Sequence, residues 1–263
     1  MSDELRSQLH QARVDIERQL EATKAQFDAT QERINQRTGR NLFGAIVIGL
    51  AGGGLLLVSL ALWKWLFVIF AVAIIGFAGF ELATALRAGG YRIPRWPLAI
   101  TAVAVAPLTW IFGEVGQLWG VLGAMAVTAL WRIAMQLVPS RSSGRQLSHD
   151  LGASVFVHAY VTALGSCAVL LTSEPNGQWW TLSFIVLAIL SDTGAYAAGL
   201  AWGRHKMAPI ISPKKTWEGF AGGAVAAAIG GVLLGWLLLG IGPVLGVLLG
   251  AVIFLTATLG DLA

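Results

Sequence analysis

The sequence predicts an all-α polytopic membrane protein of about eight transmembrane helices, with a charged cytoplasmic helix at its N-terminus. Three observations predict it. Of the 263 residues, 56% are apolar and only 12% are charged, about half the charged share of a soluble domain. The mean hydropathy is +0.70. The apolar residues also fall in blocks long enough to cross a hydrocarbon core, which takes about 20 helical residues at roughly 1.5 Å of rise each.

Residues 1–41 differ from everything after them, interleaving seven acidic and seven basic side chains with Leu9, Ile16, Leu20, Phe27 and Ile34 at loosely helical spacing. This pattern reads as a charged cytoplasmic helical tail. A secretory signal is excluded, because there a short basic start is followed at once by an apolar core. The expected spans then run near 42–63, 65–82, 97–113, 117–138, 151–171, 180–200, 217–239 and 243–260, the third being short and carrying Pro107. Residues 42–175 are expected to hold the N-terminal transmembrane helices, and 176–263 a second, C-terminal transmembrane domain. The single cysteine, Cys167, lies inside the fifth span, which excludes an intrachain disulfide and a cysteine-based zinc cluster.

Orientation follows from Lys and Arg, which cytoplasmic loops hold in excess. Seventeen of the eighteen fall in the N-terminal tail, the 83–96 loop, the end of the fourth span with its loop, and the 201–216 loop; only Lys64 lies on the other side. An N-terminus inside the cell therefore puts both the 201–216 loop and Asp261 on the cytoplasmic side of the inner membrane. The same bias explains the isoelectric point near 9.6 without a nucleic-acid partner. No period of about 20 to 50 residues marks a tandem repeat. Gly52-Gly53-Gly54 and Gly230-Gly231 lie within spans, where small residues let helix backbones approach.

The chemically informative stretch runs from Ser191 to Gly223, SDTGAYAAGLAWGRHKMAPIISPKKTWEGFAGG. Asp192 falls inside the sixth span, roughly 12 Å from the cytoplasmic end near Leu200. A carboxylate at that depth costs on the order of 3 kcal/mol and normally faces a polar cavity or a cation. The structural alternative is an ion pair with a residue such as Arg132. Farther on, Ser212-Pro213 predicts a helix start with Ser212 as N-cap and Pro213 at the first helical position. Unpaired N–H groups, Lys214, Lys215 and two hydroxyls at that end predict a polyphosphate site. Its expected substrate-binding residues are Ser212, Lys214, Lys215, Thr216 and Glu218. His205, a lone loop histidine, is expected to be incidental. Asp192 and Asp261, on separate helices facing these cations, form a pair suited to holding Mg²⁺ between themselves and substrate phosphates.

Taken in order, Ser191-Asp192-Thr193-Gly194-Ala195-Tyr196, Gly203-Arg204-His205-Lys206, the run from Ser212 to Gly219, Gly222-Gly223 and Gly260-Asp261-Leu262 resemble the bacterial phosphatidate cytidylyltransferases. The likeness covers about residues 188–263, and the Ser-Pro-Lys-Lys-Thr-Trp-Glu-Gly run carries most of its specificity. It implies an integral-membrane nucleotidyltransferase that makes CDP-diacylglycerol and pyrophosphate from CTP and phosphatidate with Mg²⁺. By it, Asp261 corresponds to a metal-binding aspartate, while Asp192, Ser212, Lys214, Lys215 and Thr216 correspond to positions lining the polar site. Members of that family continue past Gly-Asp-Leu into Lys-Asp, Pro-Gly-His-Gly-Gly and Asp-Arg-x-x-Asp elements and a last membrane helix. The present sequence stops at Ala263, so the expectation is a C-terminally incomplete catalytic domain with little activity as it stands.

The expected catalytic set is Asp192, Lys214, Lys215 and Asp261, with Asp261 and Asp192 on the metal. Expected partners are CTP, phosphatidate and membrane lipid, with a second copy of the chain as a further candidate. Two rival readings stand beside this one. Another lipid-phosphate kinase or transferase meets the same problem of bringing an anionic nucleotide to a lipid. A transporter would use Asp192 and Glu81 as coupling sites near the midplane.

Overall fold

The computed structural model describes residues 42–136, 144–209 and 212–261. The charged tail expected at 1–41 lies outside the described residues. The chain forms two compact units, Met1–Leu55 and Leu56–Ala263. Of the first, residues 42–55 are described, and they are helical. The second unit holds every helix and strand from Lys64 onward.

Helix α1, Leu42–Leu62, ends at an extended Trp63, and α2, Lys64–Ala88, follows at once. The left-handed Gly90 (φ 96°) terminates α2 and lets the Tyr91 N–H reach back to the Leu86 carbonyl at 3.1 Å, a glycine-dependent helix stop. The next helix, α3, runs from Arg95 to Ala134 but doubles back at Gly113, whose φ 59° and ψ −138° are open only to glycine. Beyond the turn, Gly116 lies against the Leu108 carbonyl and Gly120 against Val105 and Leu108. The Thr101 and Thr128 hydroxyls meet at 3.3 Å. The expected spans at 97–113 and 117–138 are thus two antiparallel arms of one element, and close helix approach, not a loop, sets their register.

Helix α4, Gly144–Val157, passes through a π-helical turn, His158–Ala163, into α5, Leu164–Ser173. Such a turn leaves backbone groups without their usual partners. Here the Ala163 carbonyl accepts from Gln117 Nε2 at 3.2 Å. His158 is fully buried; its Nε2 meets the Thr128 hydroxyl at 2.9 Å and its Nδ1 the Thr162 hydroxyl at 3.1 Å. One helical level away, Arg132 and Asp150 form a buried ion pair at 2.6 Å. This corrects the expectation that Arg132 could pair with Asp192: the guanidinium is committed to Asp150 on α4.

The last three helices are α6 (Gly177–Trp202), α7 (Trp217–Leu237) and α8 (Gly242–Gly260). A methyl group on Gly222 would collide with Ala198 of α6, and one on Gly231 or Gly246 would collide with the other helix's backbone across the α7–α8 contact. Gly222-Gly223 therefore acts as Gly230-Gly231 does, bringing helices together.

Six helices among the described residues are long and apolar enough to cross a bilayer, Lys64–Ala88 and Gly242–Gly260 among them. Their outward side chains are large and apolar, such as Phe77, Ile111, Leu200 and Trp236, whereas Thr109, Thr128, His158, Ser166 and Ser183 are buried. Apolar outside and polar within is the arrangement hydrocarbon solvent demands. The protein is accordingly an all-α multi-pass membrane protein.

Candidate active site

Between α6 and α7 the chain makes a small antiparallel hairpin of β1 (Lys206–Ala208) and β2 (Ser212–Thr216), with Lys206 opposite Thr216 and Ala208 opposite Ser212. This corrects the expected helix start at Ser212-Pro213. Thr216, extended at φ −127° and ψ 154°, is the N-cap of α7, and its hydroxyl accepts the Gly219 N–H at 3.1 Å. Ser and Thr at both ends of the run have similar capping chemistry. Pairing with β1 decides between them, because it holds residues 212–216 extended.

The correction changes what the helix end can do. The Trp217 N–H donates to the His205 carbonyl at 2.9 Å and the Gly219 N–H to Thr216, so two donors of the first turn of α7 are engaged within the protein. Glu218 adds a negative charge in the first turn, where it balances the helix dipole. What the site offers a ligand is therefore set mainly by side chains.

Those side chains converge on a cavity of about 430 Å³ between α6, the hairpin, α7 and the end of α8. Helix α6 contributes Ser191, Asp192 and Tyr196; β1 contributes Met207; β2 contributes Lys214, Lys215 and Thr216. Phe220 of α7 and Phe254, Thr258 and Asp261 from the α8 side complete the wall. Gly199 on α6 and Gly203, which caps that helix, allow the hairpin in, since a methyl group on either would press on the Thr216 side chain. Asp192 lies ten residues before the end of α6 at Trp202, roughly 15 Å of helix, and among the described residues no hydrogen bond or ion pair engages it.

Lys215 is the enclosed cation of the cavity. Its Nζ lies 3.2 Å from Asp261 Oδ2, yet the ammonium is enclosed and makes no hydrogen bond among the described residues. Both observations hold together because the contact has ion-pair distance without hydrogen-bond alignment. An enclosed ammonium whose donors are not aligned on its one charged neighbour can still donate to the hydrogen-bond acceptors of an anionic ligand. Asp261 is itself 67% exposed. Among the described residues no three His, Cys, Asp or Glu side chains converge, and Asp192 and Asp261 are the carboxylates in the cavity lining that could hold a metal. That suits Mg²⁺, which usually takes one or two carboxylates and completes its shell with water and phosphate.

Two expected substrate-binding residues are placed elsewhere. Ser212 lies at the far end of β2, outside the cavity lining, and Glu218 turns toward the base of the hairpin. The Glu218 carboxylate accepts from the His205 backbone N–H at 3.2 Å and meets His205 Nδ1 at 2.6 Å. His205, expected to be incidental, is thus Glu218's partner. Together they clamp the hairpin that carries Met207, Lys214 and Lys215. Glu218→Gln should raise the KM for the nucleotide several-fold with a smaller change in kcat, because it loosens the lysines without removing them. Steady-state kinetics check this, and a loss in kcat alone would place Glu218 in the chemistry instead.

Tyr196, Phe220, Phe254 and Thr258 went unrecognised in the sequence. Tyr196 carried a signal, since its position four residues after Asp192 puts both on one helix face. The phenylalanines carried none, because aromatic residues in apolar helices serve packing equally well.

Residues 43–263 match the cytidylyltransferase family. The chain is similar to the phosphatidate cytidylyltransferase of Mycobacterium bovis, at 39% identity over 233 residues, covering 86% of this chain and 76% of that protein. It is similar to the Mycobacterium leprae protein of the same name at 35% identity over 235 residues, 86% of this chain and 75% of that one. The likeness to the Brucella suis phosphatidate cytidylyltransferase is shorter, 39% identity over 135 residues, 49% of this chain and 46% of that protein.

Proposed function

The chain belongs to the cytidylyltransferase family, and from that premise we propose that it transfers the cytidylyl group of CTP to phosphatidate, forming CDP-diacylglycerol and pyrophosphate. The observation that carries the reading is the enclosed, hydrogen-bond-free Lys215 ammonium, set beside Lys214 and two carboxylates in a cavity at the end of three apolar helices. A phosphate of a lipid and a polyphosphate of a nucleotide can meet there while acyl chains stay in hydrocarbon. A kinase or a transporter finds no comparable support in the relatives.

In the reaction a phosphatidate phosphate oxygen attacks the α-phosphorus of CTP in line. The new O–P bond forms as the bond to the β-phosphate oxygen breaks, and pyrophosphate leaves. The nucleophile is already an anion at neutral pH, so no strong general base is needed. What the protein must supply is charge compensation in a water-poor site. Lys214 and Lys215 neutralise the phosphates and hold the leaving pyrophosphate, and Thr216 fixes the end of their strand. Asp192 and Asp261 are the carboxylates that would hold Mg²⁺, which supplies further neutralisation of the triphosphate. Orientation by the positive-inside rule puts this cavity on the cytoplasmic face of the inner membrane, where CTP is available. In this reading α1, each arm of α3 and the other long helices cross the bilayer, eight spans in all.

Lys214→Ala and Lys215→Ala, made singly, should each lower kcat/KM for CTP by about 10- to 100-fold, since a lost charge-assisted hydrogen bond is worth roughly 1.5 to 3 kcal/mol and 1.4 is tenfold. Lys215→Ala should be the more damaging, because its ammonium is the enclosed one. Full activity in both variants would reduce the lysines to topology markers.

A further inference from the structure

A second cationic site lies among the N-terminal helices. A cleft of about 460 Å³ is formed at the α2–α3 turn by Arg87, Gly90, Tyr91, Arg92, Ile93 and Met135, none of which lines the catalytic cavity. We infer that this cleft binds the phosphodiester headgroup of an anionic membrane lipid through the guanidinium groups of Arg87 and Arg92.

The two arginines satisfy the positive-inside rule, but that rule needs only charge on the correct side and no fixed geometry. The geometry here is fixed. Ile93 is 1% exposed, and Arg87 Nη1 donates to its carbonyl at 3.2 Å. The Arg92 N–H donates to Asp150 Oδ1 at 2.9 Å, and Asp150 is held in turn by the buried Arg132. A buried ion pair thus anchors the turn that presents the two guanidiniums. The Asp150 charge is matched by Arg132, and among the described residues no acidic side chain lines the cleft. The Arg92 guanidinium has no hydrogen-bond or ion-pair partner among the described residues. An anchored guanidinium on Arg87 and a guanidinium on Arg92 without a partner among the described residues, both lining the cleft, suit the recognition of phosphate.

The surroundings favour a lipid over a soluble anion. Just past the cleft, Trp96 is 62% exposed and its ring lies 4.9 Å from Phe80, with Arg95 stacked over Phe80 at 5.2 Å. Tyr91, at 38% exposed, is part of the cleft itself. Exposed Trp and Tyr beside arginines at the end of an apolar helix mark the level of lipid headgroups.

The test uses the purified full-length protein in neutral detergent micelles and phosphatidylglycerol labelled on an acyl chain, with equally labelled phosphatidylcholine as control. The wild type should bind phosphatidylglycerol about tenfold or more tighter than phosphatidylcholine. Arg87→Gln/Arg92→Gln should bring the two within about twofold, since about 1.4 kcal/mol of discrimination is at stake. Lys214→Ala should leave the preference unchanged, which separates this site from the catalytic cavity and its proposed reaction. Millimolar inorganic phosphate should not displace the lipid. Where the double variant does not fold, Arg92→Ala decides, because among the described residues its guanidinium has no partner to lose; it should lower the preference at least threefold. No preference in the wild type, or a preference that survives these arginine substitutions, overturns the inference. Loss on Lys214→Ala reassigns the binding to the catalytic cavity, and displacement by phosphate makes the cleft a soluble-anion site; either result also overturns it.

Discussion

Asp192→Asn should lower CDP-diacylglycerol formation by on the order of 100-fold, the scale lost when one preorganised charge-stabilising group is removed from an active site. The protein should still insert and melt at nearly the wild-type temperature. Both halves of the expectation come from the same placement. The carboxylate lines the cavity that holds Lys214, Lys215 and Asp261, so it acts on whatever polyanion or cation binds there. It is exposed to that cavity and engages no partner among the described residues, so the neutral amide strands no buried cation. Initial rates with CTP and phosphatidate, measured beside a thermal melt, separate the two effects. Retained activity with a lowered melting temperature would mean that Asp192 serves structure.

Asp150→Ala should have the opposite signature, destabilising the fold by about 3 to 5 kcal/mol, because removing one partner of a buried pair leaves the other charge uncompensated. Arg132 and Asp150 are 3% and 1% exposed at their side chains. The carboxylate also takes the Arg92 N–H and the Arg132 Nε, at 2.9 and 3.1 Å. The measurement is a thermal melt in detergent, with activity normalised to folded protein. An unchanged melt would show that the pair is dispensable. Loss of specific activity in the folded fraction would link this ion pair to the catalytic cavity, with which it shares no residue.

The membrane helices were legible in the sequence because hydrocarbon solvent leaves few choices: a spanning segment must be apolar, long enough and internally hydrogen-bonded. Even the reversal at Gly113 was expected as two spans, although not as an interhelical contact tight enough to bring Gly116 onto the Leu108 carbonyl. The polar interior was not legible. Thr128, His158 and Thr162 are scattered over two helices and meet only through packing, and one histidine among apolar residues has no periodicity to betray it. Arg132 and Asp150 sit at the ends of different spans, where charged residues ordinarily mark topology.

The catalytic stretch was legible in composition and less so in geometry. Asp192 stood out because a charge at its depth is costly, and the two lysines because they fall in sequence between two acids carried by apolar spans. The helix start was misplaced by four residues because local capping chemistry is similar at Ser212 and Thr216, and the deciding partner, β1, lies outside the run, across a hairpin that its residue pattern did not announce. That shift turns the site from a helix-dipole phosphate trap into a strand presenting two ammonium groups. It also moves Glu218 from substrate contact to the clamp on His205.

The central claim is tested most directly by following the α-phosphorus of CTP. The full-length protein is supplied with phosphatidate in mixed micelles, Mg²⁺ and CTP labelled at that atom. The account predicts that the label enters the lipid phase as CDP-diacylglycerol with one pyrophosphate released per lipid formed, that ATP and nucleotide sugars do not replace CTP, and that Lys215→Ala suppresses the transfer. A lipid phase that stays unlabelled with CTP while it acquires the γ-phosphate of ATP would contradict it, and would make the cavity that of a lipid kinase.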